Sequence, residues 1–178
     1  FLENEWDVAR SLWDRAWLVG DLDIEYANFD FPAEPFLDCE RTFALQEPVL
    51  RATQRLFSSV GMRPLRAMSG RGHHFVWKVA MPSAAFVRLA EIGRLSPALK
   101  ELYAKPQPPH DVPVDETLGR AFAGLGLVME YVARRIMSGS RDECSIPVVP
   151  EAVDMGPQER GHEIISVDIS EYGDPLHT

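Results

Sequence analysis

The segment WLVGDLDIEY, residues 17–26, alternates apolar and acidic side chains and therefore predicts a β-strand. Because successive side chains of a strand point to opposite faces, Asp21, Asp23 and Glu25 are expected on one face. The other face then carries the apolar residues Leu22, Ile24 and Tyr26. Carboxylates at this spacing repel one another, and a hard divalent cation that gathers their oxygens would offset that cost. A solvent-exposed strand face with unrelated acids explains the pattern about equally well.

The sequence on either side of this strand predicts helices, a strand hairpin and one further strand. Helices are predicted over residues 1–16, 47–60 (Pro48 in its first turn, Gly61 past its end), 82–95, and from the cap Asp115 to about Ser138, before Gly139. The last helix carries an apolar stripe that predicts core: Leu118, Phe122, Leu125, Val128, Val132 and Ile136. Strands are predicted over 63–69, 73–80 and 163–169, with loops over 27–40 and the proline-rich connector 105–114. This mixture predicts an α+β fold.

Length and composition indicate a soluble, cytoplasmic, single-domain protein. The chain has 178 residues, of which 46% are hydrophobic, and it contains no apolar run long enough for a membrane span and no secretory signal. Its two cysteines, Cys39 and Cys144, are too few for a cysteine zinc site. The net charge of −9 is unfavourable for a protein that lies along nucleic acid, although bound cations would offset part of it.

A second constellation lies in the predicted hairpin SGRGHHFVWK, residues 69–78. Two glycines one residue apart allow a sharp turn whose backbone N–H groups can bind an anion. On the strand that follows, His74 and Lys78 share a face, so the hydroxyl of Ser69, an imidazole and an ammonium group would surround one point. This is suitable chemistry for a triphosphate. By itself the segment fits an ordinary hairpin with a surface histidine slightly better, because short glycine-containing turns are common.

A third constellation is the apolar strand EIISVDIS, residues 163–170, which carries Asp168 near its end. An acidic residue that closes a strand most often starts a turn. By itself the segment does not indicate a functional site. It becomes informative because it follows the acidic strand and the glycine hairpin in the chain.

In this order the three segments resemble the motifs of the archaeo-eukaryotic primase superfamily, a group of primases and primase-polymerases. In this chain LVGDLD (18–23) resembles the family's acidic strand motif, SGRGHH (69–74) its hairpin motif and SVD (166–168) its later strand motif. The resemblance implies an RRM-like palm sheet with flanking helices. It implies that Asp21, Asp23 and Asp168 are catalytic and hold Mg²⁺ or Mn²⁺, and that Ser69 and His74 contact the phosphates of the incoming nucleotide. The residues themselves add Glu25 as a further candidate metal ligand, and Arg71 and Lys78 as nucleotide-binding residues that contribute positive charge.

The activity implied by the resemblance is that of a metal-dependent DNA primase or polymerase. Such an enzyme transfers a nucleotidyl group from an NTP or dNTP to a primer 3′-hydroxyl on a DNA template. Template, primer and nucleotide are then the expected partners, a helicase or other replication protein is compatible with them, and no membrane is expected. Residues 105–140 would be a helical insertion after the proline-rich connector. The family's arginine-containing strand would begin beyond Thr178, so the chain is expected to lack the C-terminal part of the catalytic domain.

Several alternatives remain open at the level of sequence. The metal pair could be Asp23 with Glu25, and His73 could replace His74. The function could be that of a non-catalytic, primase-like module that binds nucleotide or DNA in a replication complex. It could also be that of a metal-dependent hydrolase. A replication-initiator nuclease with a nucleophilic Tyr131 is less favoured, because it needs two histidines on one strand face and adjacent histidines point to opposite faces.

Overall fold

The computed structural model describes residues 12, 15–106, 111–150 and 163–172. The helix predicted over residues 1–16 lies mostly outside these residues, as does the turn predicted after Tyr172. Five strands are present in the described part: β1 (Trp17–Asn28), β2 (Leu65–Met68), β3 (Gly72–Ala80), β4 (Val148–Val149) and β5 (Glu163–Asp168). Five α-helices accompany them, α1 (Glu34–Leu37), α2 (Cys39–Ser59), α3 (Ala84–Ile92), α4 (Pro97–Tyr103) and α5 (Glu116–Ser140), with a short 3₁₀ helix at Ser170–Tyr172.

The predicted α+β class is confirmed by a five-stranded mixed sheet with flanking helices. The strand order is β2-β3-β1-β5-β4, in which β2 pairs with β3 and β1 with β5 antiparallel, and β4 with β5 parallel. Two backbone bonds, from Met81 N–H to the Ala16 carbonyl (2.8 Å) and from Tyr26 N–H to the Arg71 carbonyl (3.2 Å), show that β3 runs antiparallel to β1. Among the described residues, none of the helices is long and apolar enough to cross a membrane.

Strand β1 is central because its alternating pattern gives it one apolar face. Its even-numbered apolar residues are almost completely buried: Leu18, Leu22, Ile24 and Tyr26. Its acidic residues lie on the other face and are partly exposed. Burial of this apolar row fixes the register of the strand, since a slip of one residue would turn every carboxylate into the core.

Helix α2 packs on the face of the sheet opposite the acidic residues. The Phe57 ring lies 5.7 Å from that of Phe75 and 5.6 Å from that of Trp77, measured between ring centroids. Nearer the start of α2, the Phe43 ring lies 5.2 Å from the ring of His73. These aromatic contacts explain the burial of His73 and Phe75, whose side chains point to the helix. His74, between them in sequence, points to the face of the sheet that carries the acidic residues of β1.

The start of α2 corrects two predictions, the loop over 27–40 and the helix that begins near Pro48. The helix begins at Cys39, and Pro48 lies buried inside it. Asp38 caps the helix by accepting a hydrogen bond from the Arg41 N–H at 3.0 Å, and the packing of α2 on the sheet outweighs the one backbone bond that proline removes. The predicted end is confirmed, because Gly61 follows the helix with a φ of 73°.

We expect removal of this cap to cost measurable stability. In Asp38→Ala the first turn of α2 loses its side-chain acceptor, which should lower the free energy of unfolding by about 1 kcal/mol. Asp38→Asn, which keeps an acceptor of the same shape, should stay within about 0.5 kcal/mol of the parent. Urea denaturation followed by circular dichroism measures both; equal losses in the two variants would show that the cap is not the cause.

The described residues form two compact units. One contains residues 21–77, 129–150 and 163–170, which include Asp21, Asp23, Glu25, His74 and Asp168. The other contains Leu12 and residues 15–20, 78–106, 111–128 and 171–172. In this second unit α3 and the first half of α5 pack closely, since a Cβ at Gly124 would overlap the Leu89 carbonyl oxygen.

Helices α4 and α5 modify the predicted pattern. Helix α4 was not predicted, although Ser96 caps it by accepting from the Leu99 N–H. Helix α5 begins after the predicted cap Asp115 but continues through Gly139 to Ser140, whose hydroxyl donates to the Ile136 carbonyl. The prediction that Val128 belongs to the buried stripe is wrong, because its side chain is exposed. The helix instead buries Ala121, Met129 and Ala133.

Candidate metal centre on the sheet

A row of three polar residues crosses the centre of the sheet. Asp168 of β5 is the direct cross-strand partner of Asp23 in β1. On the other side of β1, the antiparallel register with β3 brings His74 next to Asp23, and the His74 Nδ1 lies 2.5 Å from the Asp23 Oδ1. Directly paired residues place their side chains on one face. The structure therefore brings together residues from all three segments that the sequence singled out.

Asp21 and Glu25 extend this row along β1. They lie two residues on either side of Asp23 and share its face, as the alternation predicts. Asp23, Glu25 and His74 each offer one ligand atom, and these atoms all lie within 4.8 Å of one another. Burial raises the pKa of Asp23 above its ordinary value, and the neighbouring charges of Asp21 and Glu25 raise it further, while His74 opposes the shift. The Asp23 carboxyl group therefore lies where its charged form is disfavoured.

The ligand set has the chemistry of a divalent cation site. Oxygen donors suit Mg²⁺, and an imidazole beside them suits first-row transition metals. Both the Asp23 and the His74 side chains are 30% exposed, which leaves them accessible from solvent. Asp168 directs one oxygen, Oδ1, to the Ser170 N–H at 2.8 Å. That bond fixes its carboxylate at the end of β5.

Arg71 lies at the turn between β2 and β3 and pairs with Glu25. Its guanidinium Nη2 is 2.6 Å from the Glu25 Oε2, and the side chain remains about half exposed, at 49%. Its carbonyl accepts hydrogen bonds from the Tyr26 N–H and from the Gln46 side chain in α2. Hydrogen bonds from β1 and α2 therefore fix the position of the turn, and the exposed cationic group at the turn is the Arg71 guanidinium.

The turn itself has the predicted tight geometry. The Ser69 N–H bonds to the Gly72 carbonyl at 3.0 Å, and β2 and β3 flank this link. The Ser69 hydroxyl oxygen is buried and has no hydrogen-bond partner among the described residues. A Cβ at Gly72 would overlap the carbonyl oxygen of Ile24, so glycine is required where β3 approaches β1.

Two further candidates from the sequence, Lys78 and His73, contact aromatic rings. The ammonium group of Lys78 sits over the Trp17 ring, 3.8 Å from its centroid. His73 is buried against Phe43 on the opposite side of the sheet from His74. The arrangement of two histidines on one face that a replication-initiator nuclease requires is therefore not formed by this pair.

Sequence reasoning missed two features of the site. The first is the Arg71–Glu25 ion pair, which joins residues far apart in sequence and depends on the register of β1 with β3. The second is Ser166, which is completely buried and lies directly opposite Glu25, with a hydroxyl that has no partner among the described residues. The two-residue period of a strand was the available signal, because Ser166 is two residues before Asp168 and therefore shares its face.

No protein-family model, curated protein or solved structure matches this chain. What can be proposed of its function therefore depends on its own residues and their geometry.

Proposed function

We propose that this protein is a metal-dependent nucleotidyl transferase of the DNA primase-polymerase type, with its catalytic centre at Asp23. The observation that carries the proposal is the row His74–Asp23–Asp168 across three adjacent strands, with Asp21 and Glu25 on the same face. The sheet would then be the RRM-like palm of the archaeo-eukaryotic primase superfamily. DNA template, primer and an NTP or dNTP are its proposed partners.

The carboxylates of this row would hold the cation. Asp21, Asp23 and Asp168 would be the principal ligands of Mg²⁺ or Mn²⁺, and Glu25, which has a ligand atom within 4.8 Å of one on Asp23, would join them. A divalent cation there would supply positive charge where negative charge develops on the transferring phosphoryl group. Burial, with a further contribution from the charges of Asp21 and Glu25, raises the pKa of Asp23, and a nearby cation would favour its charged form.

The glycine turn would hold the triphosphate. Within the turn, Gly70 and Arg71 carry backbone N–H groups and Ser69 has a buried hydroxyl, and all three can donate to phosphate oxygens. Arg71 adds an exposed guanidinium, a group that binds phosphate in bidentate fashion. The imidazole of His74, whose Nδ1 lies 2.5 Å from the Asp23 Oδ1, would lie beside the cation.

Primer extension tests the proposal. We expect the full-length protein to extend a labelled primer on a DNA template with nucleotides and Mg²⁺ or Mn²⁺, and the double variant Asp21→Ala/Asp23→Ala to lose at least about 100-fold in rate. Asp142→Asn, an exposed acid after α5, should retain the parent rate. A folded parent protein without extension under either metal would refute the proposal.

A metal-dependent hydrolase is the second candidate, favoured by the imidazole beside the carboxylates. Hydrolysis and transfer can share a metal site and differ in the group that attacks phosphorus. Release of phosphate or nucleoside monophosphate from a nucleotide without primer, at a rate that primer and template do not change, would favour this candidate over the transferase.

A further inference from the structure

We infer that His74 is a metal ligand, and that Asp23, Glu25 and His74 form a mixed nitrogen–oxygen site that selects Mn²⁺ or another first-row transition metal over Mg²⁺. The inference shares its cation with the proposed function, but it does not depend on nucleotidyl transfer. It differs from the roles implied by the sequence motifs, in which His74 contacts phosphate and the cation is bound by carboxylates alone.

The geometry of these three side chains is the first support. One ligand atom from each lies within 4.8 Å of the other two, so all three can reach one ion. They come from facing positions of β1 and β3, and the backbone bond from Tyr26 N–H to the Arg71 carbonyl fixes the register between these strands close to the site. Ligands on two paired strands are held more firmly than ligands on a loop.

The charge of the surroundings is the second support. The face carries the four carboxylates Asp21, Asp23, Glu25 and Asp168, and Arg71 offsets one of these charges through its bond to Glu25. Bringing so many negative groups together costs stability unless a cation is present. The site is therefore suited to a doubly charged ion rather than to a neutral ligand.

A buried hydroxyl is the third and independent support. Ser166 is fully buried, its register places it opposite Glu25, and its oxygen has no hydrogen-bond partner among the described residues. A buried polar group is nearly always satisfied by protein, by water or by a ligand. Ser166 would therefore bond to a water that accompanies the ion, which gives this hydroxyl a partner on the carboxylate face.

The type of donor determines which ion is favoured. Mg²⁺ takes oxygen ligands and is usually held by one or two carboxylates and several waters, whereas imidazole nitrogen suits the first-row transition metals. Removal of the imidazole should therefore weaken transition-metal binding and change Mg²⁺ binding little. Loss of a carboxylate should weaken both.

Manganese titration followed by electron paramagnetic resonance tests this inference, because bound Mn²⁺ loses the signal of the free ion; Mg²⁺ affinity follows from competition. We expect the full chain to bind Mn²⁺ about tenfold or more tightly than Mg²⁺. In His74→Phe the Mn²⁺ affinity should fall at least about tenfold and the Mg²⁺ affinity by less than about threefold. The matched variant His73→Phe alters the neighbouring histidine on the opposite face and should leave both affinities unchanged.

The outcomes separate this inference from the proposed function. An unchanged Mn²⁺-to-Mg²⁺ preference in a folded His74→Phe variant overturns the inference, even if primer extension persists. Failure of the parent protein to bind Mn²⁺ overturns it as well. Selective loss of Mn²⁺ in His74→Phe, together with a parent protein that does not extend primers, supports the inference and refutes the transferase.

Discussion

Asp23→Asn should abolish nucleotidyl transfer and most metal binding while leaving the fold intact. Asp23 occupies the centre of the site, opposite Asp168 in β5 and in contact with His74 in β3. Loss of groups that only support metal ligands costs about 10–100-fold, so loss of this central ligand should reduce the rate by more than about 100-fold. Primer extension gives the rate, and Mn²⁺ titration gives the affinity.

The stability of Asp23→Asn provides the control on folding. Burial and the charges of Asp21 and Glu25 raise the pKa of Asp23, so in the metal-free protein its charged form opposes folding above that pKa. The neutral amide removes this cost and can still bond to His74, so the metal-free variant should melt at the same temperature as the parent or higher. A variant that melts much earlier than the parent would assign Asp23 a structural role, and a variant with full activity would exclude it from the centre.

Gly72→Ala should cause the largest loss of stability among the glycine changes near the site. A Cβ at this position would overlap the Ile24 carbonyl oxygen and lie 3.1 Å from the Glu25 Cα, both of which are backbone atoms of β1. Backbone of a central strand cannot yield locally, so we expect a loss of about 3 kcal/mol, the upper end of ordinary overpacking costs. For a chain of this size that corresponds to a melting temperature lowered by about 6–12 °C.

Gly139→Ala is the matched control for this prediction. Gly139 lies inside α5, and the nearest atom to a Cβ added at this position would be the Ala52 Cβ, at 3.7 Å, which is ordinary contact. Alanine should therefore raise stability by up to about 1 kcal/mol through its helix propensity. Calorimetry of both variants tests the pair. Equal melting temperatures for Gly72→Ala and the parent would show that β3 does not approach β1 so closely.

Much of the sheet could be predicted from sequence, because short continuous segments contain the patterns that indicate its strands and turn. The alternation in residues 17–26 predicted β1 and the shared face of its acids, and the glycine turn predicted the hairpin of β2 and β3. The first two of these inferences need only the period of a strand and the chemistry of a turn. The grouping of Asp168 with Asp21 and Asp23 was implied by the resemblance to the primase superfamily, and the direct pairing of Asp168 with Asp23 in the sheet agrees with it.

The features that were missed depend on contacts between distant segments. Pro48 indicated a helix start by local rules, but the Asp38 cap and the packing of Phe43 against His73 of β3 stabilise the turns of α2 between Cys39 and Pro48. The ion pair of Arg71 with Glu25 requires the register of two strands, which no single segment contains. The unsatisfied hydroxyl of Ser166 is a property of burial, which follows only from the assembled sheet.

Asp23 is proposed as the point where a divalent cation and a nucleoside triphosphate meet. A crystal structure with Mn²⁺ and a non-hydrolysable nucleotide tests this most directly, because anomalous scattering locates the metal. We expect an anomalous peak in direct contact with the Asp23 carboxylate, and triphosphate density on the turn at residues 69–72. A metal bound elsewhere, with the carboxylate face empty and the nucleotide away from the turn, would contradict it.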